Sequence, residues 1–214
     1  MKSIFVVLLV AVFVAANSLV KRTLSHNENK VDIELFVMSK CPDVQDFNKH
    51  IFKQLYAELN SIMNIKVNFI AKLDDSQKYG FKSLHGVSEV EGDLIEACVQ
   101  DQYKKENEFY KLNLCVNPKM PYLPSIAQQC IKEVGFDNQR IQACAFSEEG
   151  KHLLAQSINE TDAKNVKWSP TMLLNGESYC EYGGDNCKAT SYKDYVRDIC
   201  KASTAEKKPP ACSQ

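Results

Sequence analysis

What most limits the fold of this chain is a change of hydrophobic rhythm at Cys41. Upstream, Val31, Ile33, Leu35 and Val37 alternate with other residues at the two-residue period of a strand. Phe36 and Met38 make its second half apolar on both faces, as in a strand covered on both sides. Downstream, Val44, Phe47, Ile51, Leu55 and Leu59 recur every three or four residues, the period of a helix. Pro42 suits the first helical turn, where a missing N–H costs nothing. A second alternation follows at Ile65, Val67, Phe69 and Ala71. Strand, helix, strand in this order reads as a βαβ unit with two parallel strands.

From about residue 91 to 166 the pattern turns helical, with apolar sets at Leu94, Ile95, Cys98 and Val99, at Ile126, Cys130, Ile131 and Val134, and at Leu153, Leu154 and Ile158. Four cysteines fall in this stretch, which reads as a stapled helical insertion. The β signal returns in Thr171–Leu174 and Glu177–Tyr182, joined by Asn175-Gly176. Asn-Gly between such runs signals a hairpin, because a type I′ turn needs positive φ at both central positions. A last helix carries Tyr192, Tyr195, Val196, Ile199 and Cys200 on one face, with Thr190 as its expected N-cap. The order predicts an α/β chain: a thioredoxin-like fold over residues 31–200 with a disulfide-stapled helical insertion at about 91–166, then a polar tail over 201–214.

The N-terminus sets the expected compartment. Lys2 precedes an apolar run, Ile4 to Ala16, too short to span a bilayer and followed by small residues. Residues 1–18 read as a secretory signal peptide cut after Ala16 or Ser18. Residues 19–30 read as a disordered segment in which Lys21-Arg22 is a candidate processing site. The expected location is the secretory pathway, secreted or in the endosome or lysosome, and no later run is long enough for a membrane span. Asn159-Glu160-Thr161 is a glycosylation acceptor at Asn159. With 26 basic and 27 acidic side chains, nothing argues for nucleic acid as partner.

Nine cysteines in such a chain imply disulfides and one thiol left over. Cys41 stands alone upstream and is the candidate free thiol. The other eight read as four bridges. Cys180 and Cys187 enclose a short loop, and Cys200 and Cys212 tie the tail to the last helix. Cys98, Cys115, Cys130 and Cys144 allow three pairings, of which Cys98–Cys144 with Cys115–Cys130 is preferred. There is no Cys-x-x-Cys and no histidine set beside these cysteines, so no metal is expected.

Cys41 carries the chemistry. A thiolate at a helix N-terminus is favoured by the unpaired N–H groups and the positive end of the dipole. Lys40 adds a positive neighbour and Asp43 a negative one. The usual partner in Cys-x-x-Cys is missing, because the fourth position is Val44. A second thiol normally attacks the mixed disulfide and releases product, and valine cannot. Trp168-Ser169-Pro170-Thr171 immediately precedes the hairpin. In thioredoxin-like folds a cis-proline here faces the active-site cysteine, and the backbone beside it pairs with substrate. Pro42, Ser169 and Pro170 are therefore the expected substrate-binding residues.

The chain resembles the gamma-interferon-inducible lysosomal thiol reductase (GILT) family over about residues 31–200. The best match is Met38-Ser39-Lys40-Cys41-Pro42-Asp43, similar to the Cys-Pro-Asp start of that active site. A second runs from Ser83 to Cys98, where the family signature reads Cys-Gln-His-Gly-x-x-Glu-Cys, then Asn, then a final Cys. His85, Gly86, Glu89 and Cys98 fit; Ser83 and Val90 replace two cysteines and Asp93 the asparagine. His85 reads as part of a turn with Gly86. The resemblance implies a thiol reductase acting on protein or peptide disulfides through Cys41, often at acidic pH, with a small thiol such as glutathione or cysteine as reductant and no bound cofactor. The alternative is a catalytically degenerate, secreted binding protein of the same fold.

Overall fold

The computed structural model describes residues 29–213; the expected signal peptide and Lys21-Arg22 lie outside them. Strand β1 (Val31–Val37) runs parallel to β2 (Met63–Phe69), with Val31 opposite Met63 and Val37 opposite Phe69. On its other side β1 pairs antiparallel with β5 (Thr171–Leu174), which turns into β6 (Glu177–Glu181). The sheet order is β2-β1-β5-β6. The hairpin turn has φ of 50° at Asn175 and 81° at Gly176, the left-handed pair this dipeptide supports. A two-stranded ribbon, β3 (Lys72–Leu73) and β4 (Phe81–Lys82), follows β2.

The helix after Cys41 is not one regular α-helix. It runs as α1 (Pro42–Phe47), a π segment (Asn48–Phe52) and α2 (Lys53–Leu59). The wider π turn moves the inward position from Ile51 to Phe52, which is fully buried while Ile51 is only half-buried. Phe47 and Phe52 then sit with ring centroids 5.7 Å apart.

The helical insertion comprises α3 (Val87–Gln102), α4 (Tyr110–Val116), α5 (Ser125–Glu133), α6 (Asn138–Ala145) and α7 (Glu148–Ala163). Cys98–Cys144 joins α3 to α6, and Cys115–Cys130 joins α4 to α5. Helix α3 is buried from Glu89 to Val99, apart from half-buried Glu91, because it lies between the sheet and the rest of the insertion.

The insertion also closes the open edge of β2. Asn107 accepts from Ile65 N–H (2.8 Å) and donates to Met63 C=O (2.9 Å). Gln100 accepts from Val67 N–H (2.6 Å) and donates to Val67 C=O (2.9 Å). Ser157 accepts from Phe69 N–H (2.7 Å), and Thr161 donates to Phe69 C=O (3.0 Å). Four side chains thus pair backbone groups that an edge strand leaves as a template for another chain.

The last helix, α8 (Tyr192–Ala202), starts one residue later than Thr190 would place it. Ser191 is the N-cap residue, and the cap is made in reverse. Asp194, in the first turn, accepts from Thr190 N–H (3.0 Å) and from the hydroxyls of Thr190 and Ser191. Cys180–Cys187 closes the loop after β6, and Cys200–Cys212 ties the tail to α8.

Candidate active site

Strand β1 ends at Val37, and the chain turns through Met38–Lys40 into Cys41. The Cys41 N–H donates to Met38 C=O (3.0 Å), while Cys41 C=O accepts from Val44 N–H (3.1 Å) and Gln45 N–H (3.2 Å). Cys41 is therefore the N-cap of α1, with Pro42 at the first helical position. It is the free cysteine among the described residues, and it is buried at 6% exposure.

The segment before β5 faces it. The Ser169–Pro170 peptide is cis. The Cys41 thiol lies 3.5 Å from the Ser169 carbonyl, and Ser169 Oγ accepts from Met38 N–H at 2.9 Å. Ser169 thus touches both ends of the turn. Trp168, next to it, is 43% exposed, and its indole N–H donates to Tyr182 C=O at 2.8 Å. Pro42 and Gln45 line a cavity of about 460 Å³ with Asp46, Lys49, Leu114 and Pro118. A larger one, about 830 Å³, lies elsewhere, bordered by Asp32, Asn64, Gln100 and Leu153. We place the candidate site at Cys41 because the thiol and the cis-proline meet there, and volume alone carries no chemistry.

Val44 is buried at 5%. With Glu96 and Asn113 it borders a cavity of about 20 Å³, room for about one water molecule.

Beneath the turn lies α3. Gly92 brings the two together: a Cβ there would stand 2.9 Å from Ser39 Oγ and 3.1 Å from Leu123 Cδ1. Glu89, one turn earlier, is the centre of the contact. Its carboxyl group accepts from Lys40 N–H (2.8 Å), from His85 N–H (3.1 Å) and from the Ser83 hydroxyl, and His85 Nδ1 lies 2.8 Å from it. His85 is thus turned toward Glu89. Asp93 accepts from Ser39 N–H at 3.3 Å. Burial first, then the charge of Glu89, pushes the Asp93 carboxyl well above the usual range. Burial likewise raises Glu96 to about 8, against the opposing hydrogen bond that Asn113 donates at 2.6 Å.

Sequence reasoning singled out Cys41, Pro42, Ser169 and Pro170, and these four come together. The paired cysteines lie apart, and Asn159 is exposed on α7. Sequence reasoning missed the buried carboxylates. Glu89, Asp93 and Glu96 follow an i, i+4, i+7 spacing on one helix face, and the other positions from Val90 to Val99 are largely apolar, which leaves no polar face for solvent. Cys115, Cys130 and Glu133 are close enough to share an ion, but the two sulfurs are bonded to each other and so are not thiolate ligands.

A central sheet of order β2-β1-β5-β6, a helical insertion after β2, a cysteine capping the first helix and a cis-proline before β5 define a thioredoxin-like protein with an inserted helical subdomain. Solved structures share the fold. BdbD from Bacillus subtilis aligns with a TM-score of 0.59 at 16% identity, over 84% of this chain and 90% of that one. The disulfide bond oxidoreductase DsbG from Mycobacterium tuberculosis aligns with a TM-score of 0.58 at 15% identity, over 86% and 82%. In sequence, the family described as gamma interferon inducible lysosomal thiol reductase (GILT) matches residues 32–134. A gamma-interferon-inducible lysosomal thiol reductase from Carassius auratus is 24% identical over 201 residues, covering 91% of this chain and 76% of that protein. A GILT-like protein from Caenorhabditis elegans is 24% identical over 189 residues, covering 80% of this chain and 58% of that protein, less than two thirds of its length. Over residues 32–134 the chain thus matches the GILT family, and its curated relatives carry that name.

Proposed function

We propose that this protein is a thiol–disulfide oxidoreductase of the secretory or endolysosomal pathway that reduces protein or peptide disulfides through a single nucleophile, Cys41. The observation that carries the reading is the free Cys41 thiol at the start of α1, 3.5 Å from the carbonyl next to a cis-proline. Substrate would lie along Ser169 and Pro170, with Pro42 lining the approach.

The Cys41 thiolate attacks one sulfur of the substrate disulfide. A Cys41–substrate disulfide forms, and the other substrate sulfur leaves as a thiolate. Val44 supplies no second thiol, so a glutathione or cysteine thiolate attacks the Cys41 sulfur and releases the remaining substrate thiolate. A second small thiol then regenerates Cys41 and leaves as the small-molecule disulfide. Two electrons pass from two small thiols to one substrate disulfide. Exposed Asn159 is the proposed glycosylation site, with the Thr161 hydroxyl bonded to Phe69 C=O.

The test is reduction of a disulfide-linked fluorescent peptide by glutathione, with wild type and Cys41→Ser. The expected result is turnover with wild type only, and a wild-type peptide adduct on Cys41 by mass spectrometry. Buried Val44 favours a second reading, in which the same groove binds extended peptides without turnover. Equal peptide binding by wild type and Cys41→Ser, with reduction by neither, would select it.

A further inference from the structure

The turn that carries Cys41 rests on an acidic face of α3. Glu89, Asp93 and Glu96 occupy successive turns there, at 0%, 0% and 7% exposure. Three ionised carboxylates this close and this dry need compensating cations or a proton.

We propose that Glu89 and Asp93 are a positioning pair for Cys41: Glu89 fixes the backbone at Lys40, and Asp93, carrying hydrogen on its unpartnered oxygen, fixes it at Ser39. This deepens, and rests on, the reading of Cys41 as the nucleophile.

Hydrogen bonding distinguishes the two acids. Both oxygens of Glu89 are partnered: one accepts from Lys40 N–H and lies 2.8 Å from His85 Nδ1, the other accepts from His85 N–H and from the Ser83 hydroxyl. Asp93 has one donor, Ser39 N–H, on Oδ1, and its Oδ2 is buried with no hydrogen-bond partner among the described residues. A buried acid with one donor, flanked by two other acids, holds its proton. Asp93 stands where the resembling signature has asparagine, a neutral side chain of the same shape.

The titratable and polar groups on the elements packed around this part of α3 have other partners. From its own helix come Glu89 and Glu96. The Cys41 turn offers Lys40, whose ammonium is bonded to Ser88 Oγ at 2.9 Å, and the thiol itself. The turn before α3 offers His85, held 2.8 Å from Glu89. From α4 come Asn113, bonded to Glu96, and Tyr110, whose hydroxyl donates to Asn48 at 2.7 Å. The segment after α4 meets α3 with apolar Leu123. Among the described residues, no cation bonds Asp93.

Loss of the Asp93 proton places a buried charge with no cation partner beside the Glu89 carboxyl, under the same turn. The clamps on Ser39 and Lys40 then slacken, and with them the seat of Cys41 against Ser169. The pH dependence of the site is set in part by α3, apart from the thiol.

The test is amide hydrogen exchange at Ser39 and Lys40 by NMR, corrected for the intrinsic rate, on the disulfide-intact protein from about pH 5 to about pH 9. Wild-type protection at both amides is expected to fall about tenfold or more across this range, as a hydrogen bond is lost. Asp93→Asn is expected to keep its protection throughout, with an unchanged melting temperature at the acid end. Glu89→Gln is expected to lose Lys40 protection at every pH. The proposal is overturned if wild type and Asp93→Asn trace the same profile, or if Glu89→Gln retains Lys40 protection. Should Glu89→Gln fail to fold, the Asp93→Asn comparison decides alone. Exchange reads the turn and not turnover, so a Cys41 that never reduces a disulfide leaves this result standing, and a failed exchange prediction leaves the proposed reaction standing.

Discussion

Replacing Glu96 by glutamine should flatten the pH dependence of stability. Glu96 is 7% exposed, and its carboxyl rises from 4.5 to about 8 on folding, chiefly through burial. The folded chain therefore holds this proton more tightly than the unfolded chain. The stability that Glu96 contributes is fully present below about pH 4.5 and is lost as pH rises toward about 8. Each pH unit between these values removes about 1.4 kcal/mol, so Glu96 alone costs about 3 kcal/mol between about pH 4.5 and about pH 7. In a chain of this size that is a fall in melting temperature of about 6–12 °C. Glutamine keeps an oxygen for the Asn113 amide and cannot ionise. Asp93 acts in the same direction, so the wild-type profile falls further, and the difference between the two proteins isolates Glu96. Melting curves of wild type and Glu96→Gln from about pH 4.5 to about pH 8 measure it. Parallel profiles, with the two proteins keeping a constant offset, would mean that Glu96 is ionised in the fold and would refute the argument.

Val44→Cys should convert the site into a dithiol at a cost of about 1 kcal/mol for the lost methyl. A trapped peptide adduct on Cys41 should then decay without added thiol in the variant and persist in wild type; persistence in both would show that position 44 cannot reach the adduct. Asn107→Ala should unpair Ile65 N–H and Met63 C=O and cost about 2–4 kcal/mol by urea unfolding. Gln100→Ala does the same at Val67, and should also raise self-association measured by light scattering, since it opens the edge of β2. A monomer as stable as wild type would show that solvent replaces these side chains without loss.

The order of elements was legible because each switches period or carries a turn signal. The strand before Cys41 and the helix after it differ in repeat, and Asn175-Gly176 marks the hairpin. The π segment was not legible. Phe47, Ile51 and Leu55 satisfy a regular α period, and only packing against Phe47 shows that Phe52 takes the inward place. The start of α8 was offset by one residue because Thr190, Ser191 and Asp194 all carry capping oxygens. The cis bond at Leu123–Pro124 has no local mark separating it from a trans one. At the candidate site, Cys41 and Pro170 could be singled out from position in the topology. Glu89, Asp93 and Glu96 could not be separated from a solvated helix face without knowing that α3 is covered on all sides.

A site with one thiol makes demands on access that a dithiol site does not. Where a second cysteine lies one turn away, the adduct is resolved inside the protein and the small reductant meets an exposed disulfide afterwards. In the monothiol cycle proposed above, with Val44 packed into the core, the reductant would have to reach the Cys41 sulfur while substrate still occupies it. That cycle would ask two things of the turn: that it hold the sulfur near Ser169, and that it admit a reductant, for which the structure offers the cavity lined by Pro42 and Gln45. The first requirement is met from below, by α3 through Gly92, Glu89 and Asp93, and from across the sheet by Ser169 Oγ on Met38. For the second, α1 presents Pro42, which has no N–H to donate, at the edge of that cavity, while Cys41 itself is buried. Support beneath the thiol and a cavity lined by its chain neighbour Pro42 are what external resolution would draw on.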